Sequence, residues 1–121
     1  MKEYEILKGL VASEGKVKGV AIKINEGFEG FPEVKNKIVI LKTASTDLAD
    51  KVTEAAGILS ETGGFLCHLA IVCREFNIPL VVGIDNLFET IEEGDFLEID
   101  TSKKEVYNHG KKENVEYSAE S

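Results

Sequence analysis

One histidine in this sequence stands where its chemistry could be used. His68 follows the pair Gly63-Gly64 and opens the apolar stretch Leu69-Ala70-Ile71-Val72-Cys73. The pattern predicts a helix over 65–76, with His68 in its first turn. On an ideal helix each residue turns by about 100°, which puts Leu66, Leu69, Ala70, Cys73 and Phe76 on one stripe and His68 nearly opposite, facing out of the core. Free backbone N–H groups and the positive end of the helix dipole gather at that terminus. The dipole disfavours imidazolium, so the ring tends to stay neutral and keeps the lone pair needed to attack phosphorus. The same N–H groups can then receive the oxygens of the attached anion.

The neighbouring residues divide by what they could add. Gly63 and Gly64 allow a sharp turn and leave room for an anion to approach the backbone, so both readings agree on them. Thr62 could donate to a phosphoryl oxygen or simply terminate the preceding strand. Ile71 and Val72 flank the direction of His68 and are expected to form an apolar docking surface around it. Cys67, at the helix start, could become a thiolate. Successive helical residues diverge by about 100°, however, so His68 is poorly aimed to serve as its base. Cys67 and Cys73 are separated by roughly 9 Å of helical rise, too far to bridge. Together with His68 and His109 they form no recognised ligand spacing, and no metal site is expected. Arg74 is the only arginine. It lies about 120° and roughly 9 Å from His68, which favours an ion pair anchoring the helix over a phosphate clamp.

These residues need a scaffold, and the chain supplies short alternating apolar runs. Segments 5–11 and 17–24 read as strands separated by the turn Ser13-Glu14-Gly15. The run Ile38-Val39-Ile40-Leu41 suits a central strand covered on both faces. Thr46 can cap a helix over 47–55, with Asp47 in its first turn and Leu48, Val52 and Ala55 on one stripe. Residues 57–60 form a short strand ending at the glycine turn, and Asn77 caps the second helix before the strand Leu80-Val81-Val82. Segments 95–100 and 105–107 make a hairpin through Thr101-Ser102-Lys103-Lys104. Residues 1–107 are therefore expected to be the folded domain, and 108–121 a polar, disordered tail.

At 121 residues the chain fits one domain. With 43% hydrophobic and 30% charged residues it belongs with globular chains rather than disordered ones. A net charge of −8 with a single arginine argues against nucleic acid. No long uninterrupted apolar stretch suggests a membrane segment or signal peptide, and a cytoplasmic location is the expectation.

The string Thr62-Gly63-Gly64-Phe65-Leu66-Cys67-His68-Leu69-Ala70-Ile71-Val72-Cys73-Arg74-Glu75, with Ile78-Pro79 and Val82-Gly83 behind it, closely resembles the phosphohistidine signature of the phosphoenolpyruvate-utilising enzymes. Phosphoenolpyruvate synthase and pyruvate phosphate dikinase are members. Ala12-Ser13-Glu14-Gly15, Gly19 and Glu93-Gly94-Asp95 look like further turns of that family, so the resemblance covers about the first hundred residues. Glu14 replaces the usual proline, Leu66 the usual hydroxyl residue, and Thr101 the glycine that usually follows aspartate.

The resemblance implies an α/β fold, a swivelling β/β/α phosphohistidine domain with a mixed sheet and about two main helices. It implies that His68 takes a phosphoryl group at one active site and delivers it at another. A stand-alone phosphocarrier is the resulting expectation, with no cofactor bound by the domain itself. Nucleotide-binding and phosphoenolpyruvate- or pyruvate-binding partners would act in trans, holding Mg2+ and ATP or phosphoenolpyruvate. Leu66 would leave the phosphoryl group one donor short. A non-catalytic swivelling-fold binding or regulatory module is the alternative that Leu66 and the missing domains support. A dehydratase small subunit of similar swivelling fold is a third, to which the histidine motif gives no help.

Overall fold

A computed structural model describes residues 5–24, 33–44 and 49–111. Its elements, in chain order, are β1 (Glu5–Leu7), β2 (Leu10–Ser13), β3 (Lys16–Ile24), β4 (Ile38–Leu41), β5 (Gly57–Ser60), α1 (His68–Phe76), β6 (Leu80–Val82), α2 (Leu87–Thr90), β7 (Asp95–Asp100) and β8 (Glu105–Lys111). The strands form one mixed sheet in the order β1-β8-β7-β3-β4-β5-β6-β2. The expected α/β class with a mixed sheet holds.

Strands β3, β4, β5 and β6 run parallel at the centre of the sheet. Every residue of β4 is buried, as a continuous apolar run requires. Because alternate side chains leave opposite faces, Val39 and Leu41 join the core beneath α1 while Ile38 and Ile40 join a second core with Leu97, Ile99 and Val106. The long strand β3 links two parts of the sheet. Its Lys16–Val20 half pairs antiparallel with β7, and its Ala21–Ile24 half pairs parallel with β4.

Three sequence expectations are corrected, and one further element is added. The strand expected over 5–11 is two strands on opposite edges of the sheet, since β1 pairs with β8 and β2 with β6. Only Lys8 and Gly9 separate them, a span of at most ~11 Å between Leu7 and Leu10, whereas the edges of a flat eight-stranded sheet lie ~33 Å apart. The sheet must therefore roll until its edges meet, and the crossing is tight: a Cβ on Gly9 would sit 2.5 Å from the Val82 carbonyl oxygen. Second, the chain does not fray at residue 108. Asn108, His109 and Gly110 belong to β8, where buried Asn108 Nδ2 donates to Asp95 Oδ2 (3.1 Å) and His109 lies 3.4 Å from Glu98 Oε1. The folded unit thus reaches at least Lys111.

Third, the helix expected over 47–55 does not continue through residues 50–55. Ala49 is helical, but residues 50–55 form turns with Val52 and Ala55 buried among them. Thr46, Asp47 and Leu48 lie outside the described residues. The short helix α2 was not expected; the Glu61 carboxylate accepts the Phe88 N–H at 2.7 Å in its first turn. Thr101, which departs from the family's glycine, has a structural use, because its Oγ1 accepts the Gly15 N–H (2.9 Å) and donates to the Gly15 carbonyl (3.0 Å).

Candidate functional site

The β5-α1-β6 crossover sets the site. Parallel strands followed by helices gather helix N-termini and loops at the strands' C-terminal ends, where open α/β sheets place ligands. The loop from β5 to α1 leaves along Glu61, whose N–H donates to the Leu41 carbonyl (3.1 Å). The Thr62 N–H donates to Ser60 Oγ (3.3 Å), and Thr62 Oγ1 accepts the Ala44 N–H (3.0 Å). Thr62 therefore joins the loops that follow β4 and β5. Its hydroxyl hydrogen remains a donor, since a hydroxyl both gives and accepts.

Gly63 has φ +114, and a Cβ there would meet the Ala44 Cβ at 3.1 Å. The turn needs glycine at this position for both reasons. Gly64 differs, because nothing among the described residues lies within 4 Å of where its Cβ would be. The two glycines read together in the sequence thus have separate requirements, one for conformation and one for open space.

The helix begins later than expected. Residues 65–67 form a turn in which the Cys67 N–H donates to the Gly64 carbonyl (3.3 Å), and Cys67 is the extended N-cap (φ −70, ψ 161). The first helical bond runs from the Ile71 N–H to the Cys67 carbonyl (3.1 Å). His68 is accordingly the first helical residue, and it is exposed. The amides of His68, Leu69 and Ala70 are those of the first turn that no helical carbonyl can serve, and the Cys67 side chain makes no capping bond.

Leu69, Ala70, Val72 and Cys73 are buried, and the outward direction runs through His68, Ile71 and Glu75. Val72, expected beside Ile71 on the docking surface, is only 7% exposed and packs into the core beneath the helix. Ile71 is 50% exposed and one turn from His68 on the same face. Leu66, expected on the core stripe, is not helical and is 79% exposed; Phe65 is 51% exposed. The apolar surface near His68 is therefore Phe65, Leu66 and Ile71. Phe76, also expected in the core, is 55% exposed as the last helical residue.

Burial pushes the Cys73 thiol up to about 12, with the nearby Cys67 adding to the effect. Cys73 is thus a packed apolar group. Both cysteines are free thiols. Among the described residues no three His, Cys, Asp or Glu side chains gather where they could hold a metal ion. Arg74 anchors the helix through carbonyl oxygens rather than through the expected ion pair: Nη1 donates to Ala12 (2.8 Å) and Phe65 (2.9 Å). No helix among the described residues is long and apolar enough to cross a membrane.

Fold and site together define a small swivelling-type α/β domain that presents one exposed histidine at a helix N-terminus behind a glycine turn. The family description "PEP-utilising enzyme, mobile domain" matches residues 33–104, and the chain belongs to that family. A probable phosphoenolpyruvate synthase of Methanothermobacter thermautotrophicus is 36% identical over 109 residues, covering 88% of this chain and 16% of that protein. The chain thus spans about a sixth of the length of that relative. Among solved structures, Enzyme I is 28% identical, with a TM-score of 0.55 over 67% of this chain and 34% of that one. Aconitase X of Thermococcus kodakaraensis in its holo form reaches a TM-score of 0.68 at 19% identity, over 86% of this chain and 98% of that one, a likeness of fold alone.

Proposed function

We propose that this domain is a phosphocarrier in which His68 accepts a phosphoryl group at one partner active site and passes it to an acceptor at another. The observation that carries the reading is an exposed histidine as the first residue of α1, with first-turn amides beside it and the open Gly64 turn before it. A lone pair on the neutral imidazole attacks phosphorus in line. The N–P bond forms as the P–O bond to the donor's leaving group breaks, and the leaving group departs with its electron pair. The phosphoryl oxygens turn toward the helix amides, with the Thr62 hydroxyl as a further donor. Return transfer breaks the N–P bond as the acceptor oxygen bonds to phosphorus.

We assign nucleotide binding and phosphoenolpyruvate or pyruvate binding, with the associated Mg2+, to partner domains or proteins, consistent with a relative in which this domain is a minor fraction. A non-catalytic docking module is the second reading, favoured by Leu66 where the family has a hydroxyl residue and by its near-complete exposure.

The test is incubation with radiolabelled phosphoenolpyruvate, and separately with radiolabelled ATP, plus the remaining domains of a phosphoenolpyruvate synthase lacking its own mobile domain. Label that is lost in acid, survives alkali and is absent from His68→Ala is expected. Equal labelling of His68→Ala, or no labelling from either donor, refutes the carrier reading.

A further inference from the structure

Arg74 sits six residues beyond His68, roughly 9 Å along the helix, yet its side chain reaches back toward the helix start as helical side chains do. There Nη1 donates to two carbonyl oxygens from separate parts of the chain, Ala12 on β2 at 2.8 Å and Phe65 in the glycine loop at 2.9 Å. The guanidinium also covers the Phe65 ring, with Cζ 4.3 Å from the ring centroid. One cation therefore holds strand, helix and loop together, gripping Phe65 at both its backbone and its ring.

The loop has need of such a grip. Among the described residues Gly64 has no neighbour within 4 Å of its Cβ direction and the N-cap residue Cys67 makes no side-chain capping bond, while Phe65 and Leu66 are exposed. Glycines do not fix their own backbone, so the direction in which the loop amides point must be set from outside. We infer that Arg74 is a positioning residue for phosphoryl transfer, which by fixing Phe65 orders the segment from Gly63 to His68 so that its amides converge on the group His68 carries. The inference rests on the carrier reading of His68. Arginine suits the role where lysine does not, because a planar guanidinium can donate to two carbonyls and stack on a ring at once.

The experiment uses phosphoramidate as donor, which needs no partner protein. Its P–N bond breaks as the His68 N–P bond forms, releasing ammonia. Initial labelling rates, thermal midpoints and amide hydrogen exchange are measured for the parent, Arg74→Met, Arg74→Lys, Phe65→Leu, the double variant Arg74→Met/Phe65→Leu, and Ile99→Val as a core-destabilised control. Ile99 is fully buried in the second core.

Arg74→Met is expected to speed exchange at residues 64–66 and to slow labelling of His68 about tenfold, the loss that follows if the competent loop falls to roughly a tenth of the population. Lysine should restore only part of the rate. Phe65→Leu should slow labelling in the same direction, and the double variant should be no slower than Arg74→Met, because both act through one contact. Several results overturn the proposal: labelling at the parent rate in Arg74→Met, a loss no larger than Ile99→Val shows at equal thermal midpoint, or a Phe65→Leu variant that labels normally. The last would mean that the Arg74 charge acts directly on the phosphoryl group. A parent chain left unlabelled at His68 refutes the carrier reading itself and takes the proposal with it, whereas a labelled parent with unchanged Arg74 variants refutes the proposal alone.

Discussion

Replacing Gly64 separates the chemistry of the turn from its folding more cleanly than any other substitution in the loop. A Cβ at this position meets nothing within 4 Å among the described residues, and Gly64 is not among the glycines with positive φ. Alanine therefore fits without strain, and by restricting the unfolded chain it should stabilise the domain by about 0.4–1 kcal/mol. In a domain of this size that corresponds to a rise of a few °C in thermal midpoint. Valine adds two methyl groups to the same open space and should leave stability within about 0.5 kcal/mol of the parent. Labelling of His68 should respond quite differently. A phosphoryl oxygen held by a loop amide needs an N···O distance of about 2.7–3.2 Å, and the valine methyls occupy the approach. Losing one hydrogen bond to a charged group costs about 1.5–3 kcal/mol, a slowing of roughly 10- to 150-fold. The assay pairs initial labelling rates with calorimetric melting for parent, Gly64→Ala and Gly64→Val. Parent-like labelling of Gly64→Val, or parallel loss of labelling and stability, would show that this glycine serves only the turn.

Four further outcomes follow. Gly63→Ala should do the opposite of Gly64→Ala, lowering stability by about 1–3 kcal/mol because its φ of +114 and a 3.1 Å contact with the Ala44 Cβ both resist a side chain; melting curves read this directly. For the thiols, native alkylation with iodoacetamide near pH 8 should modify Cys67 and spare Cys73, whose pKa is raised from 9.0 to about 12, until the chain unfolds. The same shift means that the folded state holds this proton where the unfolded state has lost it, so stability should fall as pH rises from about 9 to 12, and Cys73→Ala should remove that slope in melts across the range. Phosphorylation adds about 1.5 to 2 negative charges on the Ile71 face, so calorimetry should find different partner affinities for unmodified and phosphorylated protein; identical affinities, with binding abolished by Ile71→Ser, would favour the docking module.

Much of the scaffold could be read from local pattern. The buried run of β4, the glycine-terminated β5, the strand behind Pro79 and the β7–β8 hairpin each carry their signal within a few residues. What local pattern could not reveal was long-range. Nothing in residues 5–11 says that the chain changes sheet edge at Gly9, because the strands that β1 and β2 pair with, β8 and β6, lie far along the sequence. The end of β8 was hidden in the same way, since the polar residues Asn108 and His109 are held by Asp95 and Glu98 on the neighbouring strand. At the site, His68 and the glycines were legible from the motif, but the facing of the helix was not. Starting α1 three residues late leaves Leu66 outside the helix, and Val72, beside Leu69 and Cys73 on the helix surface, is buried with them. The available clue was the turn-forming Gly64 followed by Phe65 and Leu66, whose side chains need not follow a helical stripe if the turn continues to Cys67.

The structural likeness to aconitase X is greater than the likeness to Enzyme I, with TM-scores of 0.68 and 0.55, while identity runs the other way at 19% and 28%. A rolled mixed sheet covered by helices is evidently a scaffold that different chemistries can share, so the fold by itself does not decide between a phosphocarrier and a binding module. The decision falls to the few residues between β5 and α1. Gly63 accepts a backbone conformation that side chains rarely adopt, Gly64 leaves space that packing does not fill, and Phe65 and Leu66 stand in solvent where a domain concerned only with stability would bury them. Strain, open space and exposed apolar surface are each unfavourable for folding alone, and they meet beside the histidine. A docking role accounts for the apolar residues, but it gives no reason for an unfilled glycine turn next to unserved helix amides. On the phosphocarrier reading all three have a use, because a group carried on His68 must be held by amides, admitted through open space and presented to a partner surface.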